Sequence, residues 1–163
     1  MIDFMVLGLP RSGTAWVSNL LTTDTTVCIH EAFEFNSLAE LDEMGVQGIC
    51  ETSAFMHIDE INAHQARKLI IERPFAEIQE SCKALGFPEL PPLVIDLMDQ
   101  IKGYSITYKD LFNYEVMAVS YRYLLNKELS RERHALLCQF NIQNSSAIER
   151  TLINIRRLQC QLD

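Results

Sequence analysis

The chain has 163 residues, a formal net charge of −8 and a composition that is 48% hydrophobic and 22% charged. That is the size of one domain with a real core. An acidic balance speaks against general nucleic-acid binding, which needs a basic footprint, but leaves room for a small anionic ligand held by a local positive patch. No stretch approaches the roughly 18 apolar residues of a membrane span. The five cysteines, Cys28, Cys50, Cys82, Cys138 and Cys160, form no C-x-x-C pair, and most sit in apolar runs. They read as reduced core thiols of a cytoplasmic protein.

The elements follow in chain order. Ile2 to Leu9 is a short apolar run stopped by Gly8-Leu9-Pro10, the pattern of a buried parallel strand. Its apolar part, Phe4 to Leu9, is too short for a signal peptide and has Asp3, not lysines, ahead of it. Thr14 to Leu21 places Trp16, Val17, Leu20 and Leu21 on one helical face. Val27 to Ile29 is a second strand, ending at His30-Glu31, and a helix follows over roughly Asn36 to Met44. Gly48 to Phe55 is a third strand, Asp59 to Ala66 a helix, and Lys68 to Ile71 a fourth strand that runs into Glu72-Arg73-Pro74. Phe75, Ile78, Cys82 and Leu85 repeat at helical spacing, and Gly86 ends that helix. Leu93 to Ile101 is helical, and Tyr104 to Tyr108 is a fifth strand.

The remainder reads as helical. Ser130 caps one helix, and Ser146-x-x-Glu149 forms a capping box for the last. Ile148, Leu152, Ile155 and Leu162 form a stripe on that last helix, which packs either on its own domain or on a second copy in a homodimer.

Strands alternating with helices predict a single three-layer α/β domain over residues 1–163, with a central parallel sheet of about five strands and a helical C-terminal segment. Ligands of such sheets bind beyond the carboxyl ends of the strands. The residues there are Pro10 to Thr14, then His30-Glu31, then Arg73. Gly8 and Gly13 have the spacing of a nucleotide-hydrolysing P-loop, G-x-x-x-x-G-K-[ST], but Thr14 stands where its lysine belongs. A strand, a glycine-bearing turn and a helix N-terminus still make an anion site, because free N–H groups and the helix dipole face the ligand. Arg11 adds a guanidinium that can grip an oxyanion through two bonds.

The string Pro10-Arg11-Ser12-Gly13-Thr14-Ala15-Trp16 resembles the P-[KR]-S-G-T-T-W loop of the sulfotransferases that use 3′-phosphoadenosine 5′-phosphosulfate (PAPS), a family with a P-loop kinase-like fold. The resemblance implies that Pro10, Arg11, Ser12, Gly13, Thr14 and Ala15 line the donor's phosphosulfate and that Trp16 sits beside its adenine. Ala15 departs from the pattern, keeping the N–H and losing a hydroxyl. A second signature of that family, R-x7-S after a strand, matches Arg73 and Ser81. These two residues would hold the donor's 3′-phosphate, a role that suits a guanidinium.

Sulfuryl transfer also needs a base at a strand end to take the acceptor's proton. Several members carry a glutamate after the second strand, and Glu31 fills that place, with His30 the next candidate. Glu31 could equally do no more than favour the N-terminus of a following helix. Tyr104-Ser105-Ile106-Thr107-Tyr108-Lys109-Asp110-Leu111 resembles the family's late Y-x-D-L strand. The family's closing G-x-x-G-x-x-K segment has no counterpart here. His57, His64 and His134 read as structural or exposed, and no histidine, cysteine or carboxylate spacing predicts a metal.

The sequence therefore predicts a sulfotransferase with PAPS as donor and a small-molecule or glycan acceptor. The alternatives are a non-catalytic relative binding a phosphate-bearing ligand or a protein, and a divergent P-loop nucleotide or metabolite kinase.

Overall fold

The computed structural model describes residues 1–34 and 36–139. The predicted final helix with its apolar stripe, and Cys160, lie outside the described residues. Five strands form one sheet: β1 (Phe4–Gly8), β2 (Cys28–His30), β3 (Gly48–Glu51), β4 (Arg67–Glu72) and β5 (Tyr104–Thr107). Their spatial order is β2-β3-β1-β4-β5, and every pairing is parallel. The α-helices are α1 (Thr14–Leu21), α2 (Leu38–Glu43), α3 (Ile58–Ala63), α4 (Phe75–Ala84), α5 (Leu93–Met98), α6 (Tyr114–Leu125) and α7 (Arg131–Gln139). They cover both faces, so the predicted three-layer α/β architecture is present.

Side-chain alternation along β1 divides the core. Met5 and Leu7 face one layer with Leu41, Ile61, Ile78 and Met98. Phe4 and Val6 face the other with Val17, Leu20, Met117 and Leu124. All four strand residues are almost wholly buried, as expected for a central parallel strand covered on both faces. Phe4 fits because its neighbour across the ladder is Gly48. A Cβ there would lie 2.0 Å from the Phe4 ring.

The two layers also explain the strand order. The one connection that runs leftward, β1 to β2, carries α1 on one face. The connections that run rightward, through α2, α3 and then α4 with α5, use the other face. Opposite faces for opposite directions give every crossover the same hand, as the right-handed rule for parallel connections requires. The chain thus leaves β1 in one direction and β4 in the other, which opens a crevice between their carboxyl ends, where such sheets bind ligands.

Several element ends differ from the sequence reading, each for a local reason. The third strand stops at Glu51 rather than Phe55, because the Glu51 carboxylate turns the backbone by accepting the N–H groups of Thr52 (2.9 Å) and Ser53 (3.0 Å). Helix α3 stops at Ala63 because Nδ1 of His64 takes the N–H of Ala66 at 3.0 Å. Helix α2 starts at Leu38 under a capping box formed by Ser37 and Glu40. Ser130 does cap α7, its hydroxyl accepting the N–H of Arg133 at 3.1 Å. The four described cysteines are free thiols. Among the described residues no helix is long and apolar enough to cross a membrane.

Candidate functional site

The loop after β1 is tightly set. The N–H of Ser12 donates to the carbonyl of Leu9 at 3.1 Å. Arg11 and Gly13 both take left-handed backbone angles, φ 71° and 92°. An arginine seldom adopts that region, which carries a backbone cost of about 1–2 kcal/mol. At Gly13 a side chain is doubly excluded, since a Cβ would also lie 2.5 Å from Cδ1 of Leu111. Gly13 is the N-cap of α1 and offers no side-chain oxygen to its first turn. The leading N–H groups of α1 are therefore left for a ligand.

Three residues far apart in sequence meet at this loop. Nη1 of Arg73 donates to the Arg11 carbonyl at 2.6 Å, bracing the strained residue. Nε of Arg11 donates to Oγ of Ser81 at 3.0 Å. The Arg73 guanidinium lies 4.3 Å from the centroid of Tyr108 and bonds Glu77 through Nε at 3.3 Å. Arg11, Arg73 and Ser81, which the sequence linked only by pattern, thus form one cluster at the mouth of the β1–β4 crevice. Among the described residues Arg11 makes no ion pair with a carboxylate, so its outer nitrogens keep their capacity for an anion.

Trp16 packs beneath α7. The indole is buried; its N–H donates to the carbonyl of Leu137 in α7 at 3.1 Å, and its ring packs edge-on against His134. Ala15 sits half-buried in the first turn of α1. Ser12 is fully buried, and its hydroxyl finds no hydrogen-bond partner among the described residues. It lines a cavity of 410 Å³ with Leu9, Ile70, Arg73, Phe75 and Met98.

On the other side of the loop lies a chain of polar groups. Oγ1 of Thr14 and Nε2 of His30 are 3.0 Å apart. The same His30 nitrogen lies 3.5 Å from the Glu31 carboxylate. Thr52 directs its hydroxyl at that carboxylate, 2.8 and 2.9 Å from the two oxygens. Glu31 has φ 56° and sends its N–H to the Cys50 carbonyl at 2.9 Å. It follows β2 directly.

Its carboxyl is pushed up to about 8 by burial first, then by a hydrogen bond to Glu51 and the charge of Glu51, with Thr52 opposing. For Glu51, burial pulls upward, but the Glu31 hydrogen bond and the N–H groups of Ser53 and Phe33 outweigh it, and the net shift is downward. The two shifts run in opposite directions, as expected of neighbouring carboxyl groups that resist carrying two charges at once.

Glu51 escaped the sequence reading. It ends the apolar run Gly48-Ile49-Cys50 as a lone charge at a strand end, a signal lost when the strand was extended to Phe55. The other histidines are structural. His134 bonds the Leu111 carbonyl at 2.9 Å, His64 pairs with Asp42 at 3.1 Å, and His57 packs on Phe33. Among the described residues no group of three or more His, Cys, Asp or Glu side chains could hold a metal ion.

Comparison with family models, with curated proteins and with solved structures finds no match to this chain. Its function is therefore argued from the residues and geometry above.

Proposed function

We propose that this chain is a small sulfotransferase-like enzyme that takes PAPS as donor and acts on a hydroxyl- or amine-bearing acceptor, in a cytoplasmic setting that suits its free thiols. One observation carries the reading. Arg73 and Ser81, named from a sequence pattern, meet Arg11 at 2.6 and 3.0 Å beside an uncapped helix N-terminus. The residues fit a ligand with two anionic groups, one for the N–H groups of α1 with Arg11 and one for the Arg73–Ser81 side. Their fit to a triphosphate is poorer, since no lysine follows Gly13.

When bound, PAPS supplies an activated sulfuryl group. Arg11 and the N–H groups of Gly13, Thr14 and Ala15 hold the anionic end and favour negative charge developing there, with little reorganisation because the loop is already set. Arg73 fixes the loop's shape through the Arg11 carbonyl. Glu31 is the base. It must first release its own proton, so its competence rises with pH through about 8. A base whose pKa lies near the working pH is well matched to proton transfer.

Calorimetric titration tests the reading, with 3′-phosphoadenosine 5′-phosphate, the stable product of the donor, compared with ATP. The expected result is micromolar binding of the former, lost in Arg11→Ala and Arg73→Ala. A preference for ATP would turn the reading toward a kinase. No binding of either would turn it toward a non-catalytic relative.

A further inference from the structure

Glu51 is fully buried, yet carries a carboxylate at the carboxyl end of a central strand. Its oxygens accept four protein donors: the N–H of Phe33 (3.0 Å), the N–H of Thr52 (2.9 Å), and the N–H and hydroxyl of Ser53 (3.0 and 2.8 Å). Such bonds favour the ionised form and fix the group rigidly. One more hydrogen bond joins it to Glu31. Two carboxyl groups so close cannot both ionise readily, so the bond between them contains a proton.

From this geometry we propose that Glu51 is a positioning residue: it pins Glu31 through one shared proton and decides when Glu31 is free to take a proton from a bound molecule. Its catalytic meaning rests on the sulfotransferase reading; the pairing itself does not. The proton balance is simple. The pair holds one proton and one negative charge. Glu31 releases its proton to solvent, becomes a carboxylate beside the Glu51 carboxylate, and then takes the acceptor's proton. Glu51 stays anionic throughout, because its oxygens are filled by donors.

The neighbouring groups are consistent with this division. His30 on β2 lies 3.5 Å from Glu31 and 3.0 Å from the Thr14 hydroxyl, so the pair neighbours the loop where a ligand would sit. Cys50, next to Glu51 in β3, is fully buried and 3.4 Å from Cys28. Burial first, then Cys28, Glu51 and Glu31, push its thiol well up, so it adds no charge. Thr52 bonds both acids, by its hydroxyl to Glu31 and by its N–H to Glu51.

The test is a carbon-detected NMR titration of the full chain carrying ¹³C-labelled glutamate, the Glu31 carboxyl being assigned with Glu31→Gln. In wild type Glu31 is expected to titrate near pH 8. In Glu51→Gln its midpoint falls by roughly one pH unit or more, because the partner's charge is gone while burial remains. Glu51→Asp, which draws the carboxylate back by one methylene and keeps a charge, lowers the midpoint by less and serves if the glutamine variant does not fold. A Glu31 midpoint unmoved in either variant overturns the proposal. If the midpoints move as expected and no transfer from PAPS is found, the pairing stands and the sulfotransferase reading falls. If transfer is found, the pH of half-maximal rate shifts in step with the Glu31 midpoint.

Discussion

Replacing Glu31 by glutamine removes the proton-bearing member of the carboxyl pair while keeping its shape. The glutamine amide can donate to Glu51, and its carbonyl can accept from Thr52. In wild type, Glu31 titrates near 4.5 when unfolded and about 8 when folded. Between those values the folded protein holds one proton more than the unfolded chain, so stability falls as pH rises. The stabilising contribution is complete below about pH 4.5 and is lost as pH rises through about 8. The slope is at most about 1.4 kcal/mol per pH unit, or roughly 4 kcal/mol as an upper limit between pH 5 and 8. Glu31→Gln has no such slope. Urea unfolding of both proteins at half-unit steps from pH 6 to 8.5 isolates the effect as a difference. The variant is expected to gain on wild type steadily as pH rises, ending the more stable of the two. Parallel curves would show that Glu31 is ionised in the fold at neutral pH and would refute the shared proton.

Three further expectations follow from single contacts. Gly13→Ala combines a left-handed backbone with a clash against Leu111 and should cost roughly 2–4 kcal/mol, whereas Gly86→Ala, at φ 74° with open space around it, should cost only about 1–2 kcal/mol; equal melting temperatures for the two would contradict the close packing of the loop. Trp16→Phe leaves the Leu137 carbonyl without its donor and should lower stability by about 1–3 kcal/mol without changing nucleotide affinity; a tenfold affinity loss would show that the indole contributes to the binding site. Arg73→Lys cannot hold the Arg11 carbonyl, Glu77 and the Tyr108 face together, so affinity for 3′-phosphoadenosine 5′-phosphate should fall by about tenfold or more, and retained affinity in a titration would show that only the charge at this position matters.

The parts of the fold that can be read from the chain are those whose cause is local. A continuous apolar run stopped by Gly8 and Pro10 is enough to place β1, and the spacing of Val17, Leu20 and Leu21 is enough to place the buried face of α1. Element ends were less legible because they depend on side chains reaching back to the backbone, as Glu51 does after β3 and His64 after α3. At the site, Arg11 and Gly13 announced themselves through loop chemistry. Arg73 and Ser81 were visible only as a spacing, and their meeting with Arg11 is a product of the β3-to-β4 crossover. The carboxyl pair was hidden for the same reason: Glu31 and Glu51 are brought together by the pairing of β2 with β3. The burial of Trp16 depends on α7, more than a hundred residues away, which no local pattern could supply.

The account's central claim is that the Arg11 loop and the Arg73–Ser81 cluster hold two anionic groups of one nucleotide. A crystal structure of the full chain grown with 3′-phosphoadenosine 5′-phosphate tests it most directly. The expected density places the 5′-phosphate on the N–H groups of Gly13 to Ala15 with Arg11, and the 3′-phosphate against Arg73 and Ser81, with Trp16 still beneath α7. A nucleotide bound elsewhere, or bound at the loop with its 3′-phosphate turned away from Arg73 and Ser81, would contradict the claim.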